Sequence, residues 1–177
     1  MSFGREDVWT LFHSYGFDFS VWELWGALGN GGRVEVVPYW LSRDPAAFYE
    51  LVEKRGVTVL SQTPSAFGMF MAQDAESHGD LSLRYVVFGG EALETTRLAP
   101  WVERHGVTGP ELINMYGITE TTVHVTYAPL GEEEIAAGGS WIGEGLGDLS
   151  TWVLDGEQRA LGAGVEGELY VGGAGLC

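Results

Sequence analysis

Val57-Thr-Val-Leu-Ser-Gln-Thr-Pro64 decides the fold class. Val57–Leu60 is a short β-branched, apolar run of the kind that forms a buried strand, and Pro64 opens a helix carrying Phe67, Phe70 and Met71 on one side. The same alternation continues in both directions. Upstream, Val8–Phe12 is an apolar run. Ser20-Val-Trp-Glu23 reads as a capping box leading into an apolar stretch through Leu28, and Gly29–Gly32 stops it. Arg33–Val37 is strand-like. Asp44-Pro45 places an N-cap before a proline at the first helical position. Phe48, Leu51 and Val52 follow at i, i+3 and i+4, and Gly56 closes that helix. Downstream, Tyr85–Phe88 is a strand ending in Gly89-Gly90. Leu93–His105 reads as a helix kinked or restarted near Pro100, and Glu111–Met115 is a strand running into Tyr116-Gly117. Strands alternating with helices predict an α/β fold with βαβ units and a mostly parallel sheet flanked by helices. Ligands gather at the carboxyl ends of such strands, which singles out Ser61–Pro64, Gly89–Ala92 and Tyr116–Glu120.

After Glu134 the texture changes. Gly138, Gly139, Gly143, Gly145 and Gly147 form a loop, and Thr151–Leu154 and Glu168–Val171 read as short strands about a turn at Gly162–Gly164. We expect an α/β part over 1–136 and the beginning of a small β-rich subdomain over 137–177, too short to bury a core alone.

Nine Lys and Arg against 25 Asp and Glu leave a formal charge of −16 over 177 residues. A phosphate-backbone binder needs a dense basic footprint, so nucleic acid is not an expected partner, and an anionic membrane surface is disfavoured for the same reason. Backbone N–H groups can still hold a nucleotide. Hydrophobic residues make up 45% of the chain, sufficient for a packed core. The one thiol, Cys177, supports neither a disulfide framework nor a cysteine metal site. No apolar run is long enough to span a membrane, and Arg5, Glu6 and Asp7 fall where a signal peptide needs apolar residues. A reducing cytoplasm is the expected compartment.

The phosphate loop, the nucleophile elbow and the zinc motifs are all missing, and His13, His78, His105 and His124 show no ligand spacing. Three segments and one histidine remain. Asp18, among Phe17, Phe19 and Trp22, is either a helix cap or a desolvated carboxylate seeking a cation. Gly89-Gly-Glu-Ala92 is either a plain β-to-α turn or bare backbone on which a flat ligand lies. Asn114-Met-Tyr-Gly-Ile-Thr-Glu120 gathers an amide, a stacking ring, a hydroxyl and a carboxylate able to ligate Mg²⁺. It reads equally as a loop in which Thr119 caps the next turn. His124, flanked by Val123 and Val125, reads as a satisfied core histidine.

In this order the segments resemble the adenylate-forming enzymes, specifically the amino-acid adenylation domains of nonribosomal peptide synthetases. Phe17-Asp-Phe-Ser-Val-Trp22 resembles the family's F-D-x-S-x-W, and Gly89-Gly-Glu-Ala-Leu93 its G-G-E-x-L. Asn114-Met-Tyr-Gly-Ile-Thr-Glu120 resembles its N-x-Y-G-x-T-E, and Gly167-Glu-Leu-Tyr-Val-Gly-Gly-Ala-Gly-Leu176 its G-E-L-x-x-x-G-x-x-L. The resemblance implies activation of a carboxylate by ATP with Mg²⁺, then transfer of the acyl group to the phosphopantetheine thiol of a peptidyl carrier domain. It implies that Gly89, Gly90, Glu91 and Ala92 line the adenine side, that Asn114 and Tyr116 complete the base pocket, that Thr119 faces the phosphates and that Glu120 holds Mg²⁺. Asp18 would pair with the substrate's α-ammonium, a charge-assisted contact that suits the desolvated-carboxylate reading and weighs against the acyl-CoA ligase branch.

The amino-acid pocket implied by the resemblance comprises Asp18, Phe19, Trp22, Ser61, Val87, Gly89, Met115, Val123 and His124. Its bulky walls and the hydrogen-bonding Ser61 and His124 suit a small hydroxylated side chain, and the set resembles the threonine-selecting pattern, with Ser61 and Val87 as departures. L-Threonine is the expected amino acid, serine next. Ile142-Gly-Glu-Gly145 departs from the family's I-G-x-P. The family's Ser/Thr/Gly-rich loop ending in Pro-Lys-Gly, its ribose-binding Asp and the subdomain with its catalytic Lys do not occur in these residues. An internal piece of a larger adenylation domain, inactive by itself, is therefore expected. A non-catalytic nucleotide-binding remnant and a βαβ domain with no ligand are the other readings.

Overall fold

The computed structural model describes residues 1–77 and 79–176, so the readings on His78 and Cys177 lie outside it. Five strands, β1 (Val8–Leu11), β2 (Arg33–Val36), β3 (Val59–Gln62), β4 (Tyr85–Phe88) and β5 (Glu111–Asn114), run parallel. β6 (Thr126–Leu130) and β7 (Glu144–Gly145) add antiparallel strands, giving the order β2-β1-β3-β4-β5-β6-β7. A separate antiparallel pair, β8 (Leu149–Leu154) with β9 (Glu168–Gly173), follows.

Period-two alternation along the strands sorts the core into two layers. Val8, Leu60, Val86, Phe88 and Leu112 face α2 (Pro45–Arg55), α3 (Pro64–Ser77), α4 (Ala99–His105) and α5 (Glu132–Ala137), which contribute Phe48, Phe67, Phe70, Trp101 and Ile135. Trp9, Val59, Tyr85, Val87 and Ile113 face the other way, against Phe19, Trp22 and Ala27 of α1 (Phe19–Gly29). One helix thus covers the face on which the candidate pocket lies.

Asp44 caps α2, accepting from Ala47 N at 3.1 Å, and Gly56 closes it with a left-handed φ of 61°. The restart near Pro100 takes the form of a 3-10 turn at Thr95–Leu98 followed by α4 with the proline in its first turn. Two expectations are corrected. β3 lies two residues later than Val57–Leu60. The Ser20–Glu23 capping box does not form, because α1 begins at Phe19 and takes Ser20 inside it. Ser20 N and Val21 N instead donate to Phe17 O and Asp18 O at 3.0 and 2.9 Å.

Candidate functional site

Register brings the carboxyl ends of three parallel strands abreast. Ser61 pairs with Val87, Val87 with Ile113, and Phe88 with Asn114. Odd-numbered side chains of this row face α1. Phe19, Val87 and Met115 are buried in one cluster, with Trp22 and Val123 packed against it. Trp22 Nε1 donates to Ser61 Oγ at 3.2 Å. The His124 ring meets Phe19 edge-on at 5.3 Å and Trp22 at 5.2 Å. A Cβ on Gly89 would lie 3.3 Å from the Phe19 ring and 3.5 Å from His124 Cε1. Asp18 precedes α1 in the N-cap position, and its charge acts on His124. The nine residues expected to line the amino-acid pocket are therefore neighbours.

Two polar groups of this cluster lack hydrogen-bond partners among the described residues. Asp18 holds the N-cap position of α1 but makes no side-chain cap bond, and its Oδ2 is buried with no hydrogen-bond partner among the described residues. Both ring nitrogens of His124 are in the same condition, so it is a buried histidine but not a satisfied one. Burial pushes the His124 pKa down to about 4, with the Asp18 charge opposing. A neutral imidazole and a carboxylate oxygen, set in an aromatic wall and short of hydrogen bonds, fit a ligand that brings donors.

The depressed pKa makes a pH prediction. Above pH 6.5 both folded and unfolded chains hold a neutral His124. As pH falls from 6.5 toward 4 only the unfolded chain takes up the proton, so stability is lost over that window. Between pH 7 and 4.5 the wild type is expected to lose roughly 2–3 kcal/mol more than His124→Gln, measured by denaturant unfolding. Equal losses would show that His124 titrates normally.

A cavity of about 450 Å³ is lined by Gly90, Glu91, Ala92, Asn114, Met115 and Tyr116 together with Ser140, Ile142 and Leu169. Gly89 does not line it. Asn114 is buried and its amide donates to Trp141 O at 2.7 Å, so the side chain holds the 138–143 loop against the end of β5. Tyr116 keeps its ring partly exposed. Thr119 and Glu120 lie beside the cavity's Ile118, on the exposed 3-10 turn Thr119–Thr121. The Thr121 hydroxyl donates to Ile118 O at 2.9 Å and accepts from Ile118 N at 3.1 Å. Thr121 therefore ties the turn to the residue before it. Glu120 belongs to no ready-made metal site: among the described residues no three His, Cys, Asp or Glu converge on a metal position.

The bare-backbone reading of Gly89-Gly90 needs adjustment. Over Gly90, which has a φ of 80°, a Cβ would lie 2.8 Å from Phe17 Cζ, as one over Gly89 would meet Phe19. The chain's own rings occupy those positions. The Glu91 carboxylate accepts from Ser65 N at 3.1 Å and hydrogen-bonds the Ser65 hydroxyl, tethering this turn to the first turn of α3.

Several residues of this region escaped the sequence reading. His13, Arg43 and Thr63 line a further cavity of about 550 Å³ together with Phe17 and Glu91. Glu23 is buried behind His13. In the sequence Glu23 appears only as part of a capping box and His13 only as a histidine without ligand spacing; the three-dimensional packing is what places them here.

A family model described as AMP-binding enzyme matches residues 1–177. The chain is 56% identical over 178 residues to a dimodular nonribosomal peptide synthase of Bacillus subtilis, covering 98% of this chain and 8% of that protein. It is 51% identical over 175 residues to syringomycin synthase SyrB1 of Pseudomonas syringae, covering 98% of this chain and 28% of the other. Among solved structures it resembles holo-PA1221, an NRPS protein containing adenylation and PCP domains bound to a vinylsulfonamide inhibitor. The TM-score is 0.87 at 26% identity, covering 99% of this chain and 30% of that one. The chain thus spans under a third of each protein. Among the described residues no helix is long and apolar enough to cross a membrane.

Proposed function

The chain belongs to the AMP-binding enzyme family, and from that premise we propose that it forms the amino-acid pocket and adenine platform of a nonribosomal peptide synthetase adenylation domain. Residues 1–136 supply the amino-acid pocket and most of the adenine cavity, which Ser140, Ile142 and Leu169 complete, and 137–177 add β7 to the large sheet before beginning a β-rich subdomain. The amino acid is L-threonine, with serine next. The observation that carries this reading is the pair of unpartnered groups, Asp18 Oδ2 and the neutral His124 ring, within one aromatic-walled pocket. Asp18 takes the α-ammonium as a charge-assisted partner. A neutral imidazole, with one nitrogen accepting, takes the side-chain hydroxyl proton.

Adenine lies in the cavity lined by Tyr116, whose exposed ring offers a stacking face, and by Gly90, Glu91 and Ala92. Thr119 faces the phosphates. Glu120, an exposed carboxylate, suits a Mg²⁺ held otherwise by phosphate oxygens and water. When bound, the ion neutralises phosphate charge. The activated acyl group passes to the thiol of a carrier domain's phosphopantetheine. The 177 residues alone form no adenylate.

The test is calorimetric titration of this chain with non-hydrolysable aminoacyl-adenylate analogues. The threonyl analogue is expected to bind about ten- to a hundredfold tighter than its valyl isostere, because a site built around a hydroxyl leaves polar groups unpaired without it. His124→Ala is expected to erase that preference. Equal binding of an analogue lacking the amino group would favour an acyl-CoA ligase instead. Failure of all analogues to bind would leave a non-catalytic remnant.

A further inference from the structure

Three donors of one loop converge on a single buried carboxylate. Glu23, in the second turn of α1, is fully buried. Phe12 N donates to both of its oxygens at 3.2 Å, His13 N donates at 3.0 Å, and His13 Nδ1 lies 3.1 Å from Oε1. Burial pushes the Glu23 pKa up, while the hydrogen bonds from His13 and Phe12 pull it back. Backbone amides only donate, so the carboxylate must accept from both. With Glu23 ionised, Nδ1 can join only by carrying its hydrogen. Nε2 is buried and meets no partner among the described residues. A lone pair is cheaper to leave there than an N–H. The pair therefore selects the neutral Nδ1–H tautomer and one ring orientation.

That orientation matters for what rests on it. The His13 ring stacks on Phe19, with centroids 4.6 Å apart and planes 24° apart, and meets Phe17 edge-on at 5.4 Å. Phe19 in turn contacts His124 and fills the space over Gly89. We propose that Glu23 is a positioning residue that, through His13, fixes Phe19 and so sets the width of the amino-acid pocket. This rests on the pocket reading given under Proposed function. Neither residue needs to touch the substrate.

The test starts with the ring itself. In Glu23→Gln the amide oxygen can accept from the two backbone donors, and the amide NH₂ must then face Nδ1. The imidazole is expected to exchange tautomers, which ¹⁵N chemical shifts of the histidine-labelled chain read directly with no ligand present. The same variant is expected to lose about tenfold in its preference for the threonyl over a leucyl adenylate analogue, as the wall behind Phe19 shifts. His13→Asn keeps a donor toward Glu23 but removes the ring, and is expected to lose the preference equally. It decides the question should Glu23→Gln fail to fold. An Nε2–H tautomer in the wild type overturns the proposal, as does an unchanged preference in either variant. A wild type without any preference overturns the pocket reading instead, and the tautomer measurement still decides the Glu23–His13 pairing.

Discussion

Asp18→Asn leaves the fold intact and lowers affinity for the threonyl-adenylate analogue by about a hundredfold or more. The substitution preserves shape and removes one charge. Asp18 sits at the start of α1 without a cap bond, so the substitution breaks no hydrogen bond of the helix start. One of its oxygens is buried without a partner among the described residues, and an ammonium group would be its natural complement. Breaking one side of a partly desolvated, hydrogen-bonded charge pair costs about 2–5 kcal/mol, so the loss is expected in affinity while the melting temperature stays put. The deaminated analogue is the internal control. It should bind wild type and variant alike. Equal loss for both analogues, or no loss for either, would remove Asp18 from the ammonium role.

The second large effect falls on folding. Gly117→Ala is expected to destabilise the chain by about 3 kcal/mol or more, because the clash is with the backbone of Val123–His124 and not with a movable side chain. An added Cβ would lie 2.1 Å from Val123 O and 2.8 Å from His124 Cα. The two arms cannot separate cheaply. Val125 N and Thr126 N both donate to Tyr116 O, at 2.7 and 3.1 Å. Thr122 and Val123 already hold left-handed φ values of 57° and 72°, a cost the surrounding contacts sustain. Thermal unfolding should show the midpoint falling by roughly 6 °C or more. Gly162→Ala, with no atom within 4 Å of the new Cβ, is the control and should be nearly neutral. Matching midpoints for the two variants would mean that the loop relaxes.

Where local chemistry and long-range packing agree, the sequence was readable. Asp44-Pro45 and Gly56 bracket α2 because the cap and the left-handed stop are satisfied within a few residues. Tyr85–Phe88 is a strand to the residue because its side chains are buried on both faces. β6 was missed, since Pro129 argues against a strand. It is tolerated there because the pairing with β7 reaches only Thr126 and Tyr127. α5 is six residues long, too short for a periodic signal, and its opening Glu132, Glu133 and Glu134 look like a solvated charge run until they meet the positive end of the helix. The motif segments located the candidate pocket, but not which way its side chains point. Glu91 turns to Ser65, Asn114 to Trp141 and Glu23 to His13, and each choice depends on a partner at least ten positions away.

The rings lying over the two glycines make pocket volume a shared property rather than a sum of single residues. A Cβ at position 89 would press on the Phe19 ring at 3.3 Å and one at position 90 on Phe17 Cζ at 2.8 Å, so either ring would have to give. Bulk added at 89 must be returned at 19, so Gly89→Ala with Phe19→Leu should behave as one coupled change whose parts do not add. Redesign of the substrate range in this framework therefore proceeds by exchanging pairs, and libraries that vary one position at a time will miss most of the functional combinations.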